Sequence, residues 1–110
     1  MDLNEYQRKA LETAIYPSDP LVLTGLVYTA LGLNGEAGEV AEIIKKMIRD
    51  NTSLKDNQSR IAQELGDVLW YIANLGEEIG VSLETIAKAN LIKLKDRKKR
   101  DALKGSGDNR

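Results

Sequence analysis

The chain has 110 residues, 42% of them apolar and 30% charged, with no cysteine, no histidine and a net charge of −1. That length suits one domain with one core. The absent residue types exclude zinc fingers, thiol nucleophiles, Ser-His-Asp triads and imidazole relays, so any metal falls to Asp and Glu oxygens, a donor set suited to a hard cation such as Mg²⁺.

No apolar run approaches the roughly 20 residues that a bilayer demands, and Met1 opens no signal-like segment, so a soluble cytoplasmic protein is expected. The charge is divided along the chain: residues 1–87 carry 14 acidic and 7 basic side chains, residues 88–110 carry 3 and 9. A basic arm of this kind is ordinarily a solvated, paired surface. Its sharper readings are a polyphosphate site or a nucleic-acid contact.

In chain order, a helical pattern runs from Asn4 to about Ile15 and stops at YPSDP, residues 16–20, which holds both prolines. A second helix is expected from about Val27 to Asp50, with Val40, Ile43, Ile44, Met47 and Ile48 forming one apolar stripe. The polar stretch NTSLKDNQS, 51–59, breaks the pattern. Asn57 or Ser59 then caps a third helix with the stripe Ile61, Leu65, Val68, Leu69, Ile72, Leu75 and Ile79, closed by Gly80. Ser82 caps a fourth, carrying Leu83, Ile86, Ala87, Leu91 and Leu94, which runs into DRKKRDALK and stops at GSGDNR. The expectation is a single all-α domain, 1–110, a four-helix bundle without internal repeat. Its tail, 105–110, either folds glycine amides and Arg110 over a phosphate or stays loose. Four helices make a thin core, and Trp70 falls opposite the third stripe, so a second chain is expected to cover it. The plainer alternative is an indole packed under long neighbouring side chains.

With Val40 as zero on a helical wheel, Glu36 falls inside the apolar stripe and Glu39 at its edge, while Glu42 faces water within reach of Lys45 and Lys46. The third helix repeats the arrangement, with Glu64 bordering the stripe and Asp67 one step round. A single such pair is ordinarily a solvated face. Two pairs on antiparallel neighbours converge on one place, and four like charges together need a counter-ion, which a divalent cation supplies. Gly35, Gly38 and Gly66 each weaken their helix by up to about 1 kcal/mol relative to Ala, which makes sense where close helix approach or substrate needs a position without Cβ.

The motifs EAGE (Glu36, Glu39) and ELGD (Glu64, Asp67), set within GLNGEAGEVAE and ELGDVLWYIANL and accompanied by NEYQ, NLIKLKDR and KGSGDNR, resemble the MazG-like all-α nucleoside triphosphate pyrophosphohydrolases, most of all the small versions of bacteria and phages. The resemblance implies cleavage of (deoxy)nucleoside triphosphates to the monophosphate and pyrophosphate in a helical dimer or tetramer. It also implies Mg²⁺, or Mn²⁺ in its place, on Glu36, Glu39, Glu64 and Asp67. Many relatives begin the first motif with a glutamate pair; here Gly35 stands first.

In NLIKLKDR the likeness marks Asn90, Lys93 and Arg97 as candidates for phosphate oxygens, Arg97 bidentately; the plain alternative is that they satisfy carboxylates of the chain itself. Lys46 lies on the carboxylate side of its helix, with pairing to Glu42 as the bland reading. Tyr71 projects beside Glu64 and Asp67 toward a base or sugar, or packs in the core. Gln7 and Tyr16 are weaker candidates for the rim of a base pocket. No side chain is an obvious covalent nucleophile, so direct attack by water is expected, with Glu39 or Glu64 taking its proton. The rivals are a phosphoribosyl-ATP pyrophosphohydrolase and, less expected, a non-catalytic module binding nucleic acid through KLKDRKKRDALK.

Overall fold

The computed structural model describes residues 1–110 as four helices, α1 (Leu3–Leu11), α2 (Thr24–Asp50), α3 (Leu54–Glu78) and α4 (Leu83–Lys99), with no strand. No helix is long and apolar enough to cross a membrane. Asp2 caps α1 by accepting from Glu5 N at 2.8 Å. The helix ends at Leu11, short of the expected Ile15, because residues 12–14 tighten into bonds back to Lys9, Ala10 and Leu11.

The start of α2 lies three residues before the expected Val27. Asp19 sets the turn that precedes it, its carboxylate accepting from Leu21 N at 2.9 Å and its carbonyl from Val22 N and Thr24 N. The connection from α2 to α3 is tighter than its polar sequence suggests. Asn51 takes the left-handed conformation, φ 54°, and Ser53 caps α3 by accepting from Asp56 N at 3.1 Å. Neither Asn57 nor Ser59 is the cap. Asn57 turns inward, and its amide donates to Ser53 O (2.7 Å) and Thr52 Oγ1 (3.0 Å), which staples the turn from beneath. Gly80, φ 72°, closes α3 as expected, with Val81 N bonded to Gly76 O at 2.9 Å, and Ser82 caps α4.

Helices α2 and α3 form an antiparallel hairpin with one constant register. Gly25 faces Glu78, Gly32 lies under the Tyr71 ring, and Glu36 meets Asp67. The steps between these pairs are equal on the two helices, seven residues and then four. Thr29 therefore falls level with Asn74, and Glu39 with Glu64.

The first helix packs on α3 and α4 and leaves α2 untouched, as α4 does. Its hold is largely polar. Buried Gln7 donates from Nε2 to Ala73 O and Val81 O, both at 3.2 Å, while its Oε1 accepts from Leu83 N at 2.8 Å. One side chain thus joins three helices. Asn4 adds a second tie, accepting from Glu84 N at 3.2 Å.

The apolar core is small: Ala10, Ala73 and Leu83, ringed by Tyr6, Trp70 and Ile72. Within its own chain Trp70 is half-buried. Its indole donates to Thr13 Oγ1 at 2.8 Å, and Tyr16 packs edge-on against it. Neighbours grip α3 on two sides, so the face opposite its apolar stripe is not an outer face. The stripes themselves are partly bare, with Ile44, Ile48, Leu65, Ile79 and Leu91 exposed.

The molecular surface is 8179 Å², whereas a folded monomer of this 12.2 kDa mass exposes about 6,100 Å². The radius of gyration, 16.8 Å, likewise exceeds the about 13 Å of a compact chain of this length.

Replacing Gln7 with Leu leaves the buried Leu83 N–H without an acceptor and two carbonyls without that donor. The expected cost is about 2 to 3 kcal/mol, read as a lowered urea midpoint at fixed protein concentration.

Candidate metal centre

The α2–α3 register sets three carboxylates against one another. Glu36 comes from α2, and Glu64 and Asp67 come from successive turns of α3, with an oxygen of each lying within 4.8 Å of the others. Burial raises the pKa of Glu36, and a shared hydrogen bond with Glu64 and the charges of Asp67, Glu64 and Glu39 raise it further. A carboxyl so placed holds its proton more tightly than a free one, and nothing nearby is positive to offset this. No lysine or arginine of the chain forms an ion pair with Glu36, Glu64 or Asp67. Three hard oxygen donors at this spacing, crowded and uncompensated, fit a divalent cation.

Glu39, the fourth expected ligand, is exposed and lies outside that group of three, though close enough for its charge to act on Glu36. Glu42 faces away, as expected, and holds Lys45 at 2.8 Å and Lys46 at 3.5 Å, so the Lys46 amine is engaged in the helix-surface pair. Of the two roles expected for the glycines of the motifs, close helix approach within the chain is not met. A Cβ at Gly35, Gly38 or Gly66 would meet no atom within 4 Å, so none of them serves close helix approach inside the chain. Gly25, Gly32 and Gly76 do.

Beside the carboxylates stands a group of aromatic rings. Tyr71 lies over Gly32, edge-on to Trp70 at 4.9 Å and tilted against Tyr28 at 6.5 Å. The register that sets Gly32 under Tyr71 and Glu36 against Asp67 stands Tyr71 between the rings and the acids, and burial, then Tyr28, then the Glu36 and Asp67 charges raise its hydroxyl pKa. Tyr28 in turn stacks on Tyr16 with 5.0 Å between centroids and 13° between planes. The Tyr16 hydroxyl donates to Glu78 at 3.1 Å, and burial together with that bond pushes its pKa up to about 12. Sequence reading passed over Tyr28 because it started the helix beside it. The signal was present: Tyr28, Gly32 and Glu36 recur every four residues on one face of α2. Gln7 does not border this region, since its amide is spent joining helices.

The α4 candidates lie apart, on a helix that does not pack on α2. Asn90 is exposed and lines an open groove with Thr85, Ile86 and Lys93, although the wheel placed it within the stripe. Arg97 is buried, as the wheel required. Lys93 Nζ and Arg97 Nη2 both reach the Asp108 carboxylate, at 3.1 and 3.3 Å, which realises the plainer of the two readings of these cations. The tail is thus docked on α4.

Comparison with known proteins places these residues in context. The MazG nucleotide pyrophosphohydrolase domain matches residues 27–101, a span that includes all four motif carboxylates together with Asn90, Lys93 and Arg97. The Gene 37 protein of Mycobacterium phage L5 is 45% identical over 114 aligned residues, covering the whole of both chains. No solved structure matches the chain.

Glu36 binds its proton more tightly folded than unfolded. Its contribution therefore stabilises the metal-free chain below its ordinary pKa of 4.5 and is lost as pH rises through the raised value. The melting temperature of wild type relative to Glu36→Gln should fall across that interval, and Mg²⁺ at neutral pH should raise wild type alone. A pH-independent difference between the two proteins would contradict the crowding argument.

Proposed function

The chain belongs to the family of MazG nucleotide pyrophosphohydrolase domains, and from that premise we propose that it hydrolyses (deoxy)nucleoside triphosphates to the monophosphate and pyrophosphate, using Mg²⁺ or, in its place, Mn²⁺. The observation that carries the reading is the uncompensated group Glu36, Glu64 and Asp67 standing next to the Tyr28–Tyr71 rings. One side suits phosphate-bound cations, the other a base or sugar.

Glu36, Glu64 and Asp67 would hold the cation, and Glu39 completes the oxygen set or remains free for proton transfer. When bound, the cation neutralises phosphate charge and orients the reacting groups. A water oxygen bonds to the phosphorus on the nucleoside side of the bridge between the first and second phosphates. The bond from that phosphorus to the bridging oxygen breaks, and pyrophosphate leaves with that oxygen. The proton of the water goes to Glu39 or Glu64. Asn90, Lys93 and Arg97 take phosphate oxygens, and since α4 leaves α2 untouched, a second copy supplies them.

The surface supports assembly of that kind. About 2,000 Å² per chain lies beyond what a monomer of this mass exposes, which is the scale of a large obligate interface. Its apolar parts, Ile44, Ile48 and Leu65 on the hairpin and Leu91 and Ile92 on α4, are the faces that a partner copy covers.

A panel of ribo- and deoxyribonucleoside triphosphates, with phosphoribosyl-ATP included, should yield pyrophosphate that disappears with chelator; release of orthophosphate and the diphosphate refutes the bond assignment. Glu39→Gln should lower turnover by about 10²-fold or more. A parallel loss of cation affinity makes Glu39 a ligand, and a loss of kcat alone makes it the base. Sedimentation should give a mass at least twice 12.2 kDa, reduced by Ile48→Asp combined with Ile92→Asp.

A further inference from the structure

The guanidinium of Arg97 is only 4% exposed, yet its one carboxylate partner is Asp108, whose side chain is 83% exposed. Arg97 Nη2 donates to Asp108 O at 2.8 Å and to Oδ1 at 3.3 Å, while its Nε and Nη1 donate to no group of the chain. A buried guanidinium costs several kcal/mol unless its five donors find acceptors. The same Oδ1 also serves Lys93 Nζ, at 3.1 Å. Two cations thus share one carboxylate oxygen, and the Nε and Nη1 donors of the fork, unbonded within the chain but not sealed from solvent, remain to spare. That surplus fits an anion with more oxygens than a carboxylate, and a phosphoryl group supplies them in the geometry an arginine fork prefers.

The tail that carries Asp108 folds back on itself, and its end also accepts from the close of α4, Arg100 Nη2 donating to Arg110 O at 2.8 Å. Beyond α4 the chain reverses through Asp101, φ 56°, and later through Gly107, φ 78°. Arg110 ties the segment to itself, donating to Ala102 O (3.0 Å), Leu103 O (3.1 Å) and Gly107 O (2.7 Å). These bonds do not involve Lys93 or Arg97. The tail is held to that pair by ionic contacts with a solvent-exposed carboxylate and by one carbonyl, and exposed ion pairs are individually weak and screened.

We propose that residues 105–110 form a latch in which Asp108 occupies the phosphoanion site of Lys93 and Arg97, so that the phosphates of a nucleotide, or pyrophosphate, bind by displacing the tail. This rests on the reading of these cations as phosphate ligands and adds a gate to it. Asp108 is then a competitor of substrate, and its removal strengthens binding instead of weakening it.

The test uses inorganic pyrophosphate as probe, with chelator present so that the α2–α3 carboxylates take no part, on the full-length chain. Calorimetry should give pyrophosphate affinity about three- to tenfold tighter for Asp108→Asn than for wild type, and weaker for Lys93→Gln. Hydrogen exchange of the 101–110 peptide in wild type should rise as pyrophosphate saturates. Equal or weaker binding by Asp108→Asn, or a tail whose exchange is unchanged at saturation, overturns the latch. Lys93→Gln carries the site assignment because loss of the buried Arg97 would confuse folding with binding. Tail release by pyrophosphate in a chain that cleaves no nucleotide would leave the latch standing and remove the proposed hydrolysis. Nucleotide cleavage without tail release would do the reverse.

Discussion

The register of α2 against α3 is the constraint on which the rest depends. Small residues let the two helices meet, Gly25 against Glu78 and Gly32 beneath Tyr71, and the spacing they set carries Glu36 down to Asp67 and Glu64. A slip of one residue would rotate each side chain by roughly 100° and scatter the acids. The hairpin is held at both ends by polar devices, Asn57 under its turn and the Tyr16–Glu78–Ser18 contacts at its open end. The acids therefore sit mid-way along a clamped pair of helices, on regular elements instead of loops.

Burial and like charge act together at Glu36, and both oppose ionisation of its carboxyl. Such crowding is a local conflict that folding alone does not need, and conflicts of this kind concentrate where a site binds something. The cations of the chain are kept from relieving it. Lys46 is occupied by Glu42, and Lys93 and Arg97 are occupied by Asp108 on a helix that α2 does not touch. Two charge systems of opposite sign thus stay separate within one chain, and it is to both of them that the proposed cation-bound polyphosphate would answer.

The thin core follows from the same design. Much of what is buried is polar or small, Gln7, Thr29, Asn57 and Asn74 among them, so hydrogen bonds and caps fix the helices where bulky side chains would in a larger domain. Asn74 donates to Trp70 O at 3.1 Å, while its Oδ1 is buried without a partner. The large apolar residues point outward instead, which is why the surface is oversized for the mass.

Four helices, the closure of α3 at Gly80, the Ser82 cap, the inward aim of Glu36 and the outward aim of Glu42 were all legible along the chain, because each depends on residues within one or two turns. The Ser53 cap was hidden by a run of polar residues that all resemble caps, and only the inward turn of Asn57 separates them. Tertiary packing decided what no helical wheel carries: that Thr13 and Tyr16, beyond α1, pack on Trp70, that Gln7 is a strut, that Tyr28 joins Tyr71 beside the acids, and that Asp108 returns to Lys93 and Arg97. A wheel gives the direction of a side chain about its own axis but not which axis lies opposite. The local sequence therefore determined the helices and the face each acid takes, and the distances between faces, on which the chemistry depends, came only with the fold.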